Sequence, residues 1–251
     1  MTREEWSSIC DEVTNKMVHQ VRDFISPLYI SGSCPRALEG SGAFVEFGTD
    51  NALITCHHVS RGRPLDFSFR GHGSLFELGA PIATEVDPID VELTSLKTDN
   101  WAGVAHSAKA IPRDRFDSCH NPHCKEEILF IHGYAGENAG SGFGEDQPIS
   151  TGYVTQQIEP GNGVFTLFWR PGNETYSSET DESVRLQHKA MDPHGLSGSL
   201  VWDTKRMSCH EAKMEWSPSN ARVSGIVSRW DEESGALTCV PIERFRHVLS
   251  L

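Results

Sequence analysis

The sequence lacks long hydrophobic runs and an excess of positive charge. No stretch of about eighteen apolar residues occurs in the chain, so no membrane-spanning helix is predicted. Residues 1–9 show neither the basic region nor the apolar core of a secretory signal, so we expect a cytoplasmic protein. The 251 residues include 22 Lys and Arg against 35 Asp and Glu, a net charge of −13. This acidity argues against nucleic acid or an anionic membrane as a partner.

The sequence also lacks the paired cysteines of a disulfide framework. Its seven cysteines are an odd number at scattered spacings, which favours reduced thiols. One cluster of two Cys and two His could bind zinc through sulfur and imidazole nitrogen, but its residues are too close together to wrap around one tetrahedral ion. We therefore expect a polar loop there, with no metal or other cofactor. In the alternative, a zinc site, the ligands would be Cys119, His120, His123 and Cys124.

Residues 2–25 have the apolar periodicity of an amphipathic helix. Steps of three and four residues place a single apolar stripe along it, formed by Trp6, Ile9, Val13, Met17, Val21 and Phe24. We interpret this segment as a helix packed on the rest of the protein. A separate partner-binding arm is the alternative.

Most of the remaining chain has the signature of short strands. Apolar runs at 40–47 and 52–59 flank a polar hairpin turn, and residues 65–70 alternate between apolar and polar positions. Residues 75–78 form another apolar run between glycine turns. No regular alternation of strands with long helical patterns follows, so the sequence predicts an all-β protein.

One glycine-rich stretch, residues 194–200, has the features of a nucleophile turn. Ser197 lies between Gly195 and Gly198, and glycine permits the tight backbone that presents a serine hydroxyl freely. The same turn could aim the N–H groups of Gly195 and Ser197 at the oxyanion formed during acyl transfer. Upstream, a histidine pair, His57 and His58, ends one strand-like run, and acidic residues precede another. Histidine, aspartate and serine in that order form one of the known catalytic arrangements.

These stretches resemble the trypsin-like serine peptidases, and the pattern is closest to the bacterial high-temperature-requirement proteases. The family's G-S-G-F, T-x-x-H, D-x-A-x-L and G-x-S-G-G-P motifs correspond to segments beginning at Gly40, Thr55, Asp90 and Gly195. Further matches at 127–136, 150–154, 223–228 and 237–242 extend the resemblance over about residues 27 to 247.

The resemblance implies two six-stranded antiparallel β-barrels with a cleft between them, a helical extension at residues 1–26 and a short C-terminal helix. The first barrel is expected at 27–118 and the second at 119–251. It also implies a serine endopeptidase that acts on a protein or peptide substrate through an acyl-enzyme. Ser197 would be the nucleophile, His58 the base and Asp90 its orienting acid, with Asp87 the second choice, and Gly195 and Ser197 would form the oxyanion hole.

Three departures from the family pattern qualify this interpretation. Glu92 stands where a small residue is usual, which bears on the local packing and on the assignment of the acid. Ser199 and Leu200 replace Gly-Pro, which leaves a catalytically inactive trypsin-fold binding module as the alternative. Leu196 replaces the aspartate that receives a newly cut N-terminus in zymogen-type enzymes, so no activation cut is expected. Because a cytosolic endopeptidase requires restraint, a regulatory protein partner is a further hypothesis.

Specificity is predicted from the family positions of the substrate pocket. Met191 occupies its base, where enzymes that cut after Lys or Arg carry aspartate, although the neighbouring Asp192 keeps that option open. Ser228, Arg229 and Trp230 form its edge strand, and a bulky Trp230 narrows the pocket. We therefore predict a small or medium apolar residue before the cut.

A serine esterase or amidase on an α/β-hydrolase fold is a rival interpretation, since His132 and Gly133 after an apolar run resemble that family's oxyanion loop. That family requires G-x-S-x-G and the order serine, acid, histidine. Here Ser199 occupies the second glycine position, and both His58 and Asp90 precede Ser197. These features disfavour the rival.

Overall fold

The computed structural model describes residues 1–33, 36–135, 150–161, 163–169 and 193–251. Within these ranges the protein is built mostly of β-strands, with an N-terminal helix and short helical segments. None of the described helices has the length and apolar character needed to cross a bilayer.

The N-terminal segment forms helix α1, Arg3–Val21. A capping box begins it: Thr2 accepts a hydrogen bond from the backbone of Glu5, and the Glu5 side chain accepts one from the backbone of Thr2. Val13, Met17 and Val18 on its apolar face are buried against the second sheet. The predicted helix is thus present and packed, but it ends at Val21. A 3₁₀ turn at Arg22–Phe24 then leads into the first strand.

Two antiparallel sheets follow, each with seven strands in the described part of the chain. The first sheet has the order β5-β4-β1-β2-β3-β7-β6. Its strands are β1 Ile25–Ile30, β2 Leu38–Phe47, β3 Asp50–Thr55, β4 Leu65–Ser68, β5 Leu75–Glu77, β6 Pro81–Glu85 and β7 Val91–Ser95.

The second sheet has the order β10-β11-β14-β13-β12-β8-β9. Its strands are β8 Leu129–Gly133, β9 Thr151–Thr155, β10 Gln157–Pro160, β11 Phe165–Phe168, β12 Leu200–Asp203, β13 Arg222–Asp231 and β14 Ala236–Pro241. The other described helices are α2 His57–Ser60, α3 Thr98–Gly103 and α4 Arg206–Glu211. Further 3₁₀ turns lie at Arg113–Arg115, Pro218–Asn220, Ile242–Arg244 and Arg246–Leu249.

The sheets curl into two half-barrels, so the predicted all-β, trypsin-like fold is confirmed, with seven strands to each sheet where six were expected. The burial of β4 follows the predicted alternation over Leu65, Asp66 and Phe67, whereas Ser68 is buried as well. Leu65, Phe67 and Phe69 are all at most 3% exposed, and the rings of Phe67 and Phe69 pack edge to face at 5.1 Å inside the first sheet. The domain boundaries at residues 26 and 118 stay a prediction.

Hydrogen bonds between the two sheets bring the candidate site together. Ser41 on β2 donates its backbone N–H to the carbonyl of Ser197, over 2.9 Å. The Cys56 thiol donates to the carbonyl of Val227 on β13, over 3.1 Å. Strand β2 and the residue that follows β3 therefore contact the turn before β12 and strand β13 of the other sheet.

Candidate active site

The histidine pair lies on α2, which begins immediately after β3. His58 is fixed by Asp90 in two ways: its backbone N–H donates to Oδ1 over 2.9 Å, and its Nδ1 lies 2.6 Å from Oδ2. Asp90 precedes β7, is only 3% exposed and has a left-handed backbone with φ 56°. Aspartate tolerates that conformation better than most residues.

Asp90 is held in its charged form. Burial by itself raises the pKa of Asp90, but the hydrogen bonds and charge of His58 outweigh it, so the pKa of this carboxyl lies below its ordinary value of 3.8. The hydroxyl of Ser228 also donates to Oδ2, over 2.8 Å. A charged acceptor beside Nδ1 favours the tautomer with the proton on Nδ1, which leaves Nε2 of His58 free to accept one.

Ser197 and His58 line the same cleft, which has a volume of about 320 Å³. The hydroxyl of Ser197 donates to the carbonyl oxygen of Ser228 over 3.0 Å. Among the described residues no hydrogen bond joins Ser197 to His58. The hydroxyl must therefore give up its contact with Ser228 before His58 can take its proton.

The turn before Ser197 has the geometry that exposes backbone N–H groups. Leu196 donates its N–H to the carbonyl of Pro193 over 2.9 Å, and Gly195, the third residue of this turn, has φ +93°. A positive φ at that position defines a type II turn and requires glycine or a close substitute. In the described part of the chain, the N–H groups of Gly195 and Ser197 have no hydrogen-bond partner.

Ser41 braces this turn, a role that the sequence analysis did not assign. Its hydroxyl donates to the carbonyl of Gly195 over 2.7 Å and accepts from the N–H of Tyr134 over 2.8 Å. Thr55 in turn donates to the carbonyl of Ser41 over 2.7 Å. The only sign of Ser41 in the sequence was a serine between two glycines on a strand. The hydrogen-bond partners of Ser41 are distant in sequence, so the local pattern did not predict them.

His57, the other member of the histidine pair, is not among the described residues that line the cleft. The strand ends at Thr55, and His57 lies on a helical turn where its Nδ1 is 3.0 Å from Oε2 of Glu92. Glu92 is only 4% exposed. The sequence analysis noted Glu92 as unusual but gave it no partner.

The remaining predicted site residues are distributed as follows. Asp87, the second choice for the acid, forms an exposed ion pair with Arg229. Ser228, Arg229 and Trp230 line the cleft, and Trp230 is 37% exposed. The predictions for Met191 and Asp192 lie outside the described residues.

The four alternative zinc ligands do not converge. His120 stacks on Phe165 with ring centroids 3.7 Å apart, whereas His123 pairs with Glu211 over 2.7 Å. Burial lowers the pKa of His120. In the described ranges the group of three possible ligands within 4.8 Å of one another is instead Cys56, His58 and Asp90. Those side chains already have the hydrogen bonds given above.

Comparisons with solved structures find serine protease domains whose fold is similar to that of this chain. The serine protease domain of the Sesbania mosaic virus polyprotein is 13% identical, with a TM-score of 0.52 over 90% of this chain and 91% of that one. The active form of the Rv3671c protease from M. tuberculosis is 12% identical, with a TM-score of 0.54 over 95% and 85%.

The HtrA-type protease AlgW with a tripeptide is also 12% identical, with a TM-score of 0.54 over 94% of this chain and 62% of that one. No family model and no curated protein matches the sequence. At these identities the likeness concerns the fold, which is of the chymotrypsin type.

Proposed function

We propose that the protein is a serine endopeptidase that hydrolyses peptide bonds of a protein or peptide substrate through His58, Asp90 and Ser197. The observation that carries this proposal is the buried Asp90 carboxylate on Nδ1 of His58, at the wall of the cleft that Ser197 also lines. A serine hydroxyl is a poor nucleophile at neutral pH, so it needs such a base.

In the proposed reaction, Nε2 of His58 takes the Ser197 proton as Oγ attacks the substrate carbonyl carbon. The oxyanion is stabilised by the N–H groups of Gly195 and Ser197, and Asp90 stabilises the imidazolium. His58 then gives its proton to the leaving amine, the C–N bond breaks and an ester to Ser197 remains. Water attacks this ester with His58 again as base, which releases the acid product and restores Ser197.

We further propose that the cleft accepts a small or medium apolar residue before the cut, because Trp230 adds bulk at its rim. Profiling with a peptide library tests this preference. A dominant cut after Lys or Arg contradicts it.

A catalytically inactive binding module is the second candidate. It is favoured by the hydrogen bond from Ser197 to Ser228, which holds the hydroxyl away from the base, and by Ser199 and Leu200 after the nucleophile turn. A serine esterase on an α/β-hydrolase fold does not agree with the two antiparallel sheets.

A fluorophosphonate probe separates the two candidates, because it labels only an activated serine. We expect labelling of the wild type and its loss in Ser197→Ala and His58→Ala. The matched controls are Ser234→Ala and His247→Ala, which change an exposed serine and an exposed histidine. Absence of labelling in the folded wild type, or its persistence in Ser197→Ala, contradicts the proposed enzyme.

A further inference from the structure

A second carboxylate reaches α2 from the same strand edge as Asp90. Asp90 immediately precedes β7 and Glu92 is the second residue of that strand, and the side chains of both contact histidines of α2. The side chain of Glu92 is as buried as that of Asp90, each being 5% exposed. Two consecutive histidines, His57 and His58, therefore each face a buried carboxylate.

Glu92 contacts both ends of α2. Its Oε2 lies 3.0 Å from Nδ1 of His57, the first residue of the helix, and 2.9 Å from the hydroxyl of Ser60, the last one. The Ser60 hydroxyl also lies 3.0 Å from the carbonyl of His57. The other carboxylate oxygen of Glu92, Oε1, lies 3.4 Å from the Thr94 hydroxyl. One carboxylate thus ties the turn together across its length.

This helix needs such support, because it has only four residues. A single turn is not stable in water on its own. Its N-cap, Cys56, makes no side-chain capping bond, and the helix ends at Arg61 in a left-handed conformation with φ 42°, which disfavours a non-glycine residue. The orientation of His58 must therefore be set by contacts from outside α2.

We propose that Glu92 is a positioning residue, which holds α2 through His57 and Ser60 so that the imidazole of His58 stays on Asp90 and faces the cleft. The inference rests on the proposed function, since it assigns the device that orients the proposed base. Burying a carboxylate costs stability unless it is paired and hydrogen-bonded. A buried Glu92 without these donors would be unfavourable, so the His57 and Ser60 contacts explain why it is tolerated here.

Kinetics of substrate cleavage provide the first test. We expect Glu92→Ala to lower kcat between about tenfold and a hundredfold, because a small misplacement of a catalytic group has effects of that size. KM stays within about twofold, since Glu92 does not line the cleft. Glu92→Gln restores most of the activity because its amide oxygen still accepts a hydrogen bond. The control is Glu77→Ala. Glu77 lies on the same sheet as Glu92, and its exposed carboxylate pairs with Lys97.

His57→Ala is a second variant for the case in which Glu92→Ala does not fold. The His57 side chain is 31% exposed, so its removal leaves no large cavity. We expect a loss of kcat of about tenfold at unchanged KM. Circular dichroism at the assay temperature establishes that each variant is folded.

A spectroscopic readout makes the test independent of turnover. The proton between Nδ1 of His58 and Oδ2 of Asp90, which are 2.6 Å apart, gives a downfield NMR resonance that is identified by its absence in His58→Ala. We expect this resonance to shift or broaden in Glu92→Ala and His57→Ala, but not in Glu77→Ala. If both variants fold and keep the wild-type kcat and resonance, the positioning role is wrong. If the wild type is inert, the proposed function fails, and the resonance alone decides the positioning role.

Discussion

Ser41→Ala tests whether hydrogen bonds from the first sheet hold the nucleophile turn. The Ser41 hydroxyl is completely buried and bonds to both the carbonyl of Gly195 and the N–H of Tyr134. Its removal leaves one buried acceptor and one buried donor without their partner. Each costs about 1–3 kcal/mol, so we expect a loss of about 2–6 kcal/mol in the free energy of unfolding.

The structure offers a matched control in Ser26→Ala. Ser26 is also completely buried, and its hydroxyl likewise bonds to a carbonyl and an N–H of another segment, both of Ser68. It also lies 3.1 Å from the carbonyl of the adjacent Pro27. These contacts join β1 to the end of β4, away from the cleft. The two variants should therefore lose similar stability, measured by urea unfolding with tryptophan fluorescence.

Only Ser41→Ala should change reactivity. Removing a whole oxyanion-hole donor costs on the order of a hundredfold or more in rate, and loosening Gly195 should slow fluorophosphonate labelling by about tenfold or more. Ser26→Ala should label at the wild-type rate. Equal labelling rates for the two folded variants would refute the bracing of Gly195 by Ser41, whatever their stabilities.

Two further predictions concern stability. Gly198→Ala should lower the free energy of unfolding, measured in urea, by about 3 kcal/mol or more, because φ is +89° and a Cβ would overlap the Ser41 carbonyl. The control Gly48→Ala, where φ is +64° and the surrounding space is open, should lower it by about 1 kcal/mol. Burial lowers the pKa of His132 from 6.5 to about 3, so the unfolded state binds its proton first, and stability falls as pH drops below 6.5. Between pH 7.5 and 5 this proton uptake should lower the free energy of unfolding of the wild type by about 2 kcal/mol. The His132→Gln variant should lose about 2 kcal/mol less over the same range, and an equal pH dependence of the two proteins contradicts this prediction.

The elements with strong local periodicity could be predicted from the sequence. The three- and four-residue spacing in α1 and the alternation in β4 reflect burial of one face, which the side-chain pattern records directly. The C-terminal end of α1 was predicted less accurately. Phe24 continues the apolar stripe, but the chain leaves the helix at Val21, and Phe24 is buried from a 3₁₀ turn instead. Hydrophobicity reports burial and does not report which helix type achieves it.

The candidate site could be predicted only in part, because several of its contacts join segments that are distant in sequence. The family resemblance predicted His58, Asp90 and Ser197, and in the structure Asp90 rather than Asp87 contacts His58. The contacts of Ser41 with Gly195, 154 positions apart, and of Glu92 with His57 depend on how distant segments meet. No local pattern encodes such hydrogen bonds.

Alignment of the proposed base and nucleophile depends on contacts between the sheets, because His58 follows β3 of the first sheet and Ser197 precedes β12 of the second. Asp90 accepts from Ser228, and Cys56 donates to Val227, so both link the His58 side to β13. Burial raises the pKa of the Cys56 thiol, which therefore keeps the proton that it donates. Substitutions in the interior of either sheet should lower stability alone, whereas loss of a bond between the sheets should also shift His58 relative to Ser197. Reactivity and stability are then separable properties of this fold.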